Sequence, residues 1–422
     1  MTSDLPNSTD AFRRELAELR EHFARTSPEM ALTVSDPALD LEGYVVVWNT
    51  AIAAGGPLAG AGKGGTRCEA TLDLAQVARL AQTMARKNAA AGLPLGGAKS
   101  GVRMDKNDPH YERKWRRFVE LTSPILHERG GCFGGYGYDK GCRIPDNALW
   151  AIDELTSKGL GSSRSFTGKP VELGGTDYDV EGIAGLGVAV AARTLLDCHG
   201  ATAKGARFGV QGMGAMGAGI CRHFTAFGGQ LAAMSDPLYG GTWIFNAEPP
   251  EALIRALGAR DVDTVKQRLP EVSRRLSEDA TEILYQDVDV LFPAATEDVI
   301  TAANASRIQA RTIAEAANNP TTGDAHRILF ERGVRLIPDI IANAGGIVAA
   351  FVEMTTPTTP EIIASRRKVQ QAKEMAIAKI EANTRRMAEM VMRLDVRADE
   401  VADYMALRAI RSGKIEAEPR AQ

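Results

Sequence analysis

The run Arg207-Phe208-Gly209-Val210-Gln211-Gly212-Met213-Gly214-Ala215-Met216-Gly217 constrains the fold more than any other stretch. A strand-like segment passes straight into Gly-x-Gly-x-x-Gly, then into a helical segment through Phe224, then into a second apolar run, Gln230 to Met234, that ends at Ser235-Asp236. In a chain with 42 glycines the motif alone says little, and the strand–turn–helix–strand context gives it meaning. Glycines at 212, 214 and 217 permit a tight turn and the close approach of a pyrophosphate. Ala215 and Met216 then sit at a helix N-terminus whose backbone N–H groups face the phosphates. Asp236 follows about 20 residues into the unit, where an acid accepts hydrogen bonds from ribose hydroxyls and repels a 2′-phosphate. NAD is therefore expected as cofactor, with NADP possible.

More strand-like runs follow: Val288 to Phe292 before Pro293-Ala294-Ala295, Thr312 to Glu315 before Ala316-Ala317-Asn318-Asn319, and Val334 to Ile337. Helical stretches such as Ala325 to Arg332 lie between them, and Ile183 to Cys198 is nearly uncharged, as in a helix buried between layers. Alternating β and α elements predict a parallel, doubly wound sheet with ligands at the carboxyl ends of its strands. Ala294, Ala295 and Asn318 are candidate cofactor contacts on that rule, and ordinary turn chemistry accounts for them equally.

A second pattern lies upstream. Lys63-Gly64-Gly65-Thr66-Arg67 and Gly96-Gly97-Ala98-Lys99-Ser100-Gly101 flank a segment from Leu72 to Ala91 with helical periodicity. Leu80, Met84 and Lys87 fall at i, i+4 and i+7, so Lys87 lies on the apolar stripe, while Arg79 and Arg86 fall on the other side. A lysine facing a core needs an anion or loses its proton. Glycine turns are expected to hold Lys63 and Lys99 at the two ends of this helix, with Gly64 and Gly65 letting a ligand come close. The arrangement predicts a small cationic pocket for a carboxylate-bearing substrate. Asp139, in the glycine- and aromatic-rich loop from Gly130 to Cys142, is a turn former or a proton carrier.

The rest of the chain sets the frame. At 422 residues it holds two domains. Fifty basic against 53 acidic residues argue against nucleic-acid or lipid-surface binding through net charge. Cys68, Cys132, Cys142, Cys198 and Cys221 include no Cys-x-x-Cys pair, the histidines are scattered, and no metal site is expected. The polar start, Met1 to Thr9, and the lack of a bilayer-length apolar run point to a cytoplasmic protein. Ala11 to Arg25, His110 to Arg129 and Pro145 to Leu155 read as helices, and Tyr44 to Trp48 as a strand. Asn343-Ala344-Gly345-Gly346 opens a helical C-terminus. There Glu361 to Arg393 reads as one charged helix, solvated or oligomer-facing, and the last residues fray.

With these motifs in view the chain resembles the glutamate/leucine/phenylalanine/valine dehydrogenase family. Lys-Gly-Gly-Thr-Arg, Lys-Asn-Ala-Ala-Ala-Gly-Leu-Pro-Leu-Gly-Gly-Ala-Lys, the Gly-x-Gly-x-x-Gly unit, Pro-Ala-Ala-Thr-Glu, Ala-Asn-Asn-Pro-Thr-Thr and Pro-Asp-x-x-Ala-Asn-Ala-Gly-Gly occur in the family's order from about Asn49 to about Phe351. The resemblance implies NAD(P)-dependent oxidative deamination of an L-amino acid to a 2-oxo acid and ammonia, and the reverse. It implies an α/β fold of two domains. One is an N-terminal substrate-binding and oligomerisation domain over 1–178, and the other a Rossmann-type domain over 179–345. Helices from 346 to 422 return to the first domain. A homo-oligomer, a hexamer by family habit, is implied as well.

Carried over by position, Lys87 resembles the lysine that pairs with the substrate α-carboxylate, Lys99 the catalytic lysine and Asp139 the proton-transferring aspartate. Asn318 and Asn343 resemble residues beside nicotinamide and substrate. A lysine crowded by cations and partly dehydrated can act as a general base near neutrality.

Glutamate-using members carry a lysine like Lys63 for the side-chain carboxylate and a serine where this chain has Ala350. Leucine- and phenylalanine-type members lack that lysine, yet share the wording Asn88-Ala89-Ala90-Ala91-Gly92-Leu93. The family's Glu-Ala-Thr-Gly stretch reads Glu181-Gly182-Ile183-Ala184-Gly185 here. An acidic or polar amino acid is the expected substrate. The alternatives are an apolar-substrate member and a catalytically impaired paralogue. A 2-hydroxy acid dehydrogenase would need an Arg–His pair that the motifs do not supply.

Overall fold

The structure, a computed structural model, describes residues 5–415; the expected fraying of the last residues falls outside them. The chain forms two compact units. One comprises Arg13–Asp177, Ile347–Ala372 and the residues from Asp403 on; the other comprises Tyr178–Gly346, Lys373–Ala402 and the residues up to Phe12.

In chain order the first elements are helix α1 (Thr9–Ala24), then strands β1 (Met30–Asp36) and β2 (Leu41–Trp48), which pair antiparallel from Met30↔Val47 to Asp36↔Leu41. Short strands β3 (Gly62–Lys63) and β4 (Thr66–Cys68) precede helix α2 (Leu74–Ala90). Asp73 caps α2, its side chain accepting from Gln76 N while the Gln76 side chain accepts from Asp73 N. Strand β5 (Gly96–Val102) follows and is buried at every residue. It runs antiparallel to β2 and parallel to β3 and β4, giving a sheet ordered β1-β2-β5-β3 with β4 beside β5.

The expectation of a glycine turn around Lys99 is corrected by β5. Glycine disfavours strands on propensity, but this strand is pressed between α2 and β2. A Cβ on Gly97 would lie 2.3 Å from Ala85 N, and one on Gly62 would lie 2.4 Å from Gly97 O. Only glycine permits the helix that close, and tertiary packing overrides the local preference.

Helices α3 (Tyr111–Thr122) and α4 (Asp146–Ser157), with paired strands β6 (Tyr136–Gly137) and β7 (Phe166–Thr167), enclose an aromatic core. Trp115, Phe118, Phe133, Tyr136 and Phe166 are fully buried there, with Tyr136 edge-on to Trp115, Phe118 and Phe133.

The other unit includes helix α5 (Ile183–Cys198), as the nearly uncharged run predicts. Strand β8 (Arg207–Gln211) and helix α6 (Ala215–Ala226) follow. Next come β9 (Gln230–Asp236), β10 (Gly241–Ile244), α7 (Glu251–Ala259), α8 (Val262–Val272), β11 (Arg274–Ser277), β12 (Val290–Pro293), β13 (Thr312–Ala314), α9 (Gly323–Glu331), β14 (Arg335–Ile337) and α10 (Asp339–Ala342). The sheet order is β11-β10-β9-β8-β12-β13-β14. Strands β8, β9, β12, β13 and β14 are parallel; β10 and β11 add an antiparallel edge. β8 lies between β9 and β12, so the strand order reverses beside it, where a doubly wound sheet opens its ligand crevice.

Helices α11 (Gly345–Thr355), α12 (Pro360–Ala364), α13 (Arg367–Leu394) and α14 (Ala398–Ser412) complete the chain. The single helix expected over Glu361 to Arg393 is two. It breaks at Ser365-Arg366, where Arg366 takes a positive φ of 52°. Among the described residues no helix is long and apolar enough to cross a membrane.

Candidate functional site

The cationic cluster is built on β3, β4 and β5. Lys99 projects from the middle of β5, 6% exposed, and forms an ion pair with Asp139. Arg67 Nε reaches the same carboxylate at 3.2 Å. Burial pushes the Asp139 carboxyl up, but the Lys99 ammonium, the Arg67 guanidinium and hydrogen bonds from Lys99 and the Lys140 backbone outweigh it and hold it at about 2. Asp139 is therefore a carboxylate at any ordinary pH.

Lys63 lies on β3 beside Gly97 and is 2% exposed. Its Nζ donates to the Gly64 and Tyr136 carbonyls, each at 2.8 Å. Burial, together with the Lys99 and Lys169 charges, lowers its pKa to about 7 against an opposing pull from Glu353. The lysine poised near neutrality in this cluster is thus Lys63.

Gly64 and Gly65 are required by the packing of the protein's own backbone. A Cβ on Gly64 would lie 1.8 Å from Ala98 O, and one on Gly65 would lie 2.6 Å from Tyr138 O and 3.3 Å from Asp139 Cβ. These glycines bring protein backbone, and with it Asp139, up against the Lys63 segment. On α2 the deeply buried face is Val77, Ala81, Ala85 and Asn88, whereas Leu80, Met84 and Lys87 are only half-buried along its flank. Asn88 Nδ2 ties α2 to Lys63 O and Gly96 O at 3.2 and 2.6 Å.

The pattern reading missed a second buried cluster. Glu353, on α11, is fully buried and accepts from Gly168 N (3.0 Å), Thr176 N (2.8 Å), Thr176 Oγ1 (2.6 Å) and Lys169 Nζ (3.0 Å). Lys368 Nζ donates to Gly174 O and Thr358 Oγ1 at 2.9 and 2.7 Å. Burial and the nearby Lys169 and Arg164 charges lower the Lys368 pKa to about 8. The available signal was a single carboxylate within the otherwise apolar run Ile347 to Met354. Ala350, one turn before Glu353, is buried and offers no hydroxyl.

In the other unit the strand ends converge as the doubly wound pattern predicts. Gly212, at φ 85°, donates its N–H to Ser235 O, and a Cβ there would lie 2.9 Å from Ala295 Cα and 3.0 Å from Ala294 O. A Cβ on Gly217 would lie 1.9 Å from Gly212 O, so the third glycine lets α6 sit on the turn. Gly214 is exposed with nothing within 4 Å of its Cβ position. It precedes Ala215 and Met216 at the start of α6, which has no side-chain cap.

Asp236 accepts from Met213 N (2.7 Å) and Leu238 N (2.8 Å), leaving one lone pair on each oxygen for a further donor. Asn343 Nδ2 donates to Ala316 O at 3.1 Å and lies 3.3 Å from Ala317 O and Asn318 Oδ1. Its own Oδ1 is buried without a protein partner. An open glycine cradle at a helix start, a carboxylate at the end of β9 and a buried orphan acceptor fit a dinucleotide.

The comparisons with known proteins agree with this geometry. The family model for glutamate/leucine/phenylalanine/valine dehydrogenase matches residues 174–411, and that for the Glu/Leu/Phe/Val dehydrogenase dimerisation domain matches residues 28–130. The chain is 35% identical over 317 residues to an NADP(+)-dependent glutamate dehydrogenase of Pyrobaculum calidifontis, covering 74% of this chain and 72% of that one. It is 36% identical over 342 residues to a glutamate dehydrogenase of Thermotoga maritima, covering 77% of each. Its fold is similar to that of the hetero-hexameric glutamate dehydrogenase of Thermus thermophilus, with a TM-score of 0.73 at 23% identity over 96% of this chain and 95% of that one.

Proposed function

The chain belongs to the glutamate/leucine/phenylalanine/valine dehydrogenase family and is an NAD(P)-dependent amino acid dehydrogenase, and we propose that it catalyses the reversible oxidative deamination of an acidic or polar L-amino acid, with glutamate the leading choice. The reaction turns amino acid, water and NAD(P)⁺ into 2-oxo acid, ammonium, NAD(P)H and a proton. The observation that carries the reading is the pairing of Lys99 with Asp139 beside Lys63.

Bound NAD(P)⁺ supplies the acceptor for the hydride leaving the substrate Cα. Lys87, on the half-buried flank of α2, takes the α-carboxylate. Lys99 takes up the proton from the water that adds to the imine carbon and stabilises the oxygen that develops there. Asp139 carries the proton on and off the substrate nitrogen. Its resting pKa of about 2 requires that the substrate first draw Lys99 and Arg67 from it. Lys63 meets the side-chain carboxylate. Asp236 favours NAD, because a carboxylate repels a 2′-phosphate. Gly212, Gly214, Ala215, Met216 and Gly217 cradle the pyrophosphate, while Ala294, Ala295, Asn318 and Asn343 border the nicotinamide half. A cytoplasmic homo-oligomer, a hexamer by family habit, completes the reading.

A second reading has its own support. Lys63 Nζ is bonded to two backbone carbonyls, and Ala350 adds no polar group. That arrangement also suits an apolar side chain lying along the lysine stem. An amino-acid panel followed by NADH absorbance, with Lys63→Leu alongside, decides between them. Loss of turnover on glutamate and aspartate alone in the variant supports the acidic assignment. Turnover on leucine or phenylalanine that the variant retains rejects it.

A further inference from the structure

We propose that Cys68 and Cys142 are a paired modification site, closing to a reversible disulfide under peroxide and thereby re-anchoring the loop that carries Asp139. Cys68 ends β4, next to Arg67, which holds the Asp139 carboxylate. Cys142 lies just after Asp139, and its N–H closes the turn on Asp139 O at 3.1 Å. Cys68 N donates to Lys140 O at 2.9 Å and Cys142 Sγ donates to Thr66 O at 3.0 Å, so each cysteine is bonded to the segment that carries the other. A Cβ on Gly141 would lie only 3.3 Å from Cys68 Cβ. Tyr111 Oη bridges the same two segments, 3.3 Å from Cys68 Sγ and 3.1 Å from Gly141 O. The two cysteines thus share one small contact between β4 and the Asp139 loop, and both are free thiols.

Their environments divide the labour. Cys142 is half-buried, the less shielded of the two, and the neighbouring Cys68 thiol lowers its pKa against the effect of burial. Cys68 is 3% exposed, and that same contact and its burial raise its pKa. An accessible, more acidic thiol attacks first, and a shielded neighbour resolves it. The Cys142 sulfur attacks a peroxide oxygen; the O–O bond breaks, water leaves, and a sulfenic acid remains. The Cys68 sulfur then attacks Cys142 sulfur; the S–O bond breaks, a second water leaves, and the S–S bond forms. Two electrons pass from the sulfurs to the peroxide, and both thiol protons depart in the waters.

Closure removes the bond from Cys142 to Thr66 O and the thiol partner of Tyr111. The turn is then held covalently to β4, displaced from the arrangement in which Arg67 and Lys99 both reach Asp139. The effect on turnover rests on the assignment of Asp139 above; the formation of the bond does not.

The test treats the full chain with hydrogen peroxide, alkylates free thiols and maps the peptides. A Cys68–Cys142 cross-link about 2 Da lighter than the two thiols is expected, reversed by dithiothreitol. Amino acid turnover should fall about tenfold or more in step with it and recover on reduction, while NADH binding by fluorescence holds. Cys142→Ser should keep its own untreated turnover after peroxide, and Cys132→Ser should respond as the parent does. Irreversible oxidation of Cys142 with Cys68 still reduced, a disulfide to another cysteine, or a cross-link with undiminished turnover overturns the proposal. If the reduced enzyme turns over no amino acid at all, the proposed function fails, and the peptide map still decides whether the disulfide forms.

Discussion

Glu353 and Lys169 form an ion pair of 3.0 Å with side chains 0% and 1% exposed. Neither group can recover its hydration if the other is removed, and Glu353 also satisfies Gly168 N and both donors of Thr176. The pair therefore locks the loop from Gly168 to Thr176 onto α11. Breaking such a pair leaves a buried charge and costs about 3–5 kcal/mol. Glu353→Gln should lose that much in urea unfolding. The double variant Glu353→Gln, Lys169→Met should recover part of it, because the orphaned ammonium goes too. Equal losses in single and double variants would show that the two groups are not coupled.

Lys63 ties stability to pH. Its folded value is about 7 against an ordinary 10.5, with burial the main cause. Between those two values the unfolded chain holds a proton at Lys63 that the folded chain has released. Stability then rises with pH across the window, by at most about 1.4 kcal/mol per unit, and the full penalty is present below pH 7. Unfolding of the parent and Lys63→Met, compared from about pH 6 to pH 10, should show the rising difference only in the parent. Parallel profiles would mean that Lys63 keeps its proton in the fold.

Much of the fold was legible because single elements carried their own signals. Ile183 to Cys198 carries charge only at Arg193 and Asp197, near its end, so a helix buried over most of its length was its one comfortable state. The β8–turn–α6 unit was readable because its glycines answer to local geometry. β5 was not, since its reason for existing is the close approach of Ala81 and Ala85 on α2, which glycine content cannot announce. β1 alternates half-buried Met30, Leu32 and Val34 with exposed Ala31 and Thr33, a period-two signal that was present and weak. At the site, the lysines and Asp139 were found by motif. Arg67 as the second cation on Asp139, and Glu353 as the buried anion, depended on contacts across more than 70 residues of sequence and left no local trace.

The two motif glycines that differ most in surroundings should respond differently to a methyl. At Gly217 a Cβ meets Gly212 O at 1.9 Å, so Gly217→Ala should destabilise by about 1–3 kcal/mol and weaken NADH binding as a consequence. At Gly214 nothing lies within 4 Å and φ is −67°, so Gly214→Ala should melt with the parent. On the proposed assignment its methyl would stand where a pyrophosphate approaches, and the NADH dissociation constant should rise about tenfold. Fluorescence titration beside thermal melts separates the two. Unchanged affinity in Gly214→Ala would move the phosphates elsewhere.

Removing the Lys99 amine should separate chemistry from cofactor binding. Lys99→Met keeps the apolar stem inside the sheet and leaves Asp139 with Arg67 as its partner cation. The Asp139 pKa should move up from about 2. Turnover should fall roughly 10²–10⁴-fold, while NADH affinity, read by fluorescence, stays within about twofold of the parent. Near-normal turnover in this variant would remove Lys99 from the chemistry.

On the proposed assignment, Asp236 should decide between the two nicotinamide cofactors through its charge and through its backbone bonds, and the two contributions can be separated. Each of its oxygens already accepts one backbone N–H, from Met213 or Leu238, which fixes the carboxylate at the end of β9. Held there, a carboxylate would accept from ribose hydroxyls and repel a 2′-phosphate. Asp236→Ser keeps a short oxygen acceptor for Leu238 N but removes the charge and the reach to Met213 N, costing about 1 kcal/mol of stability. The ratio of kcat/KM for NADPH over NADH should rise about tenfold or more, chiefly through KM, because the phosphate is remote from the reacting carbon. Asp236→Asn retains the shape without the charge and should move the ratio the same way. If the parent already prefers NADPH, or neither variant shifts the ratio, the carboxylate does not read the ribose, and the preference must come from elsewhere around the end of β9.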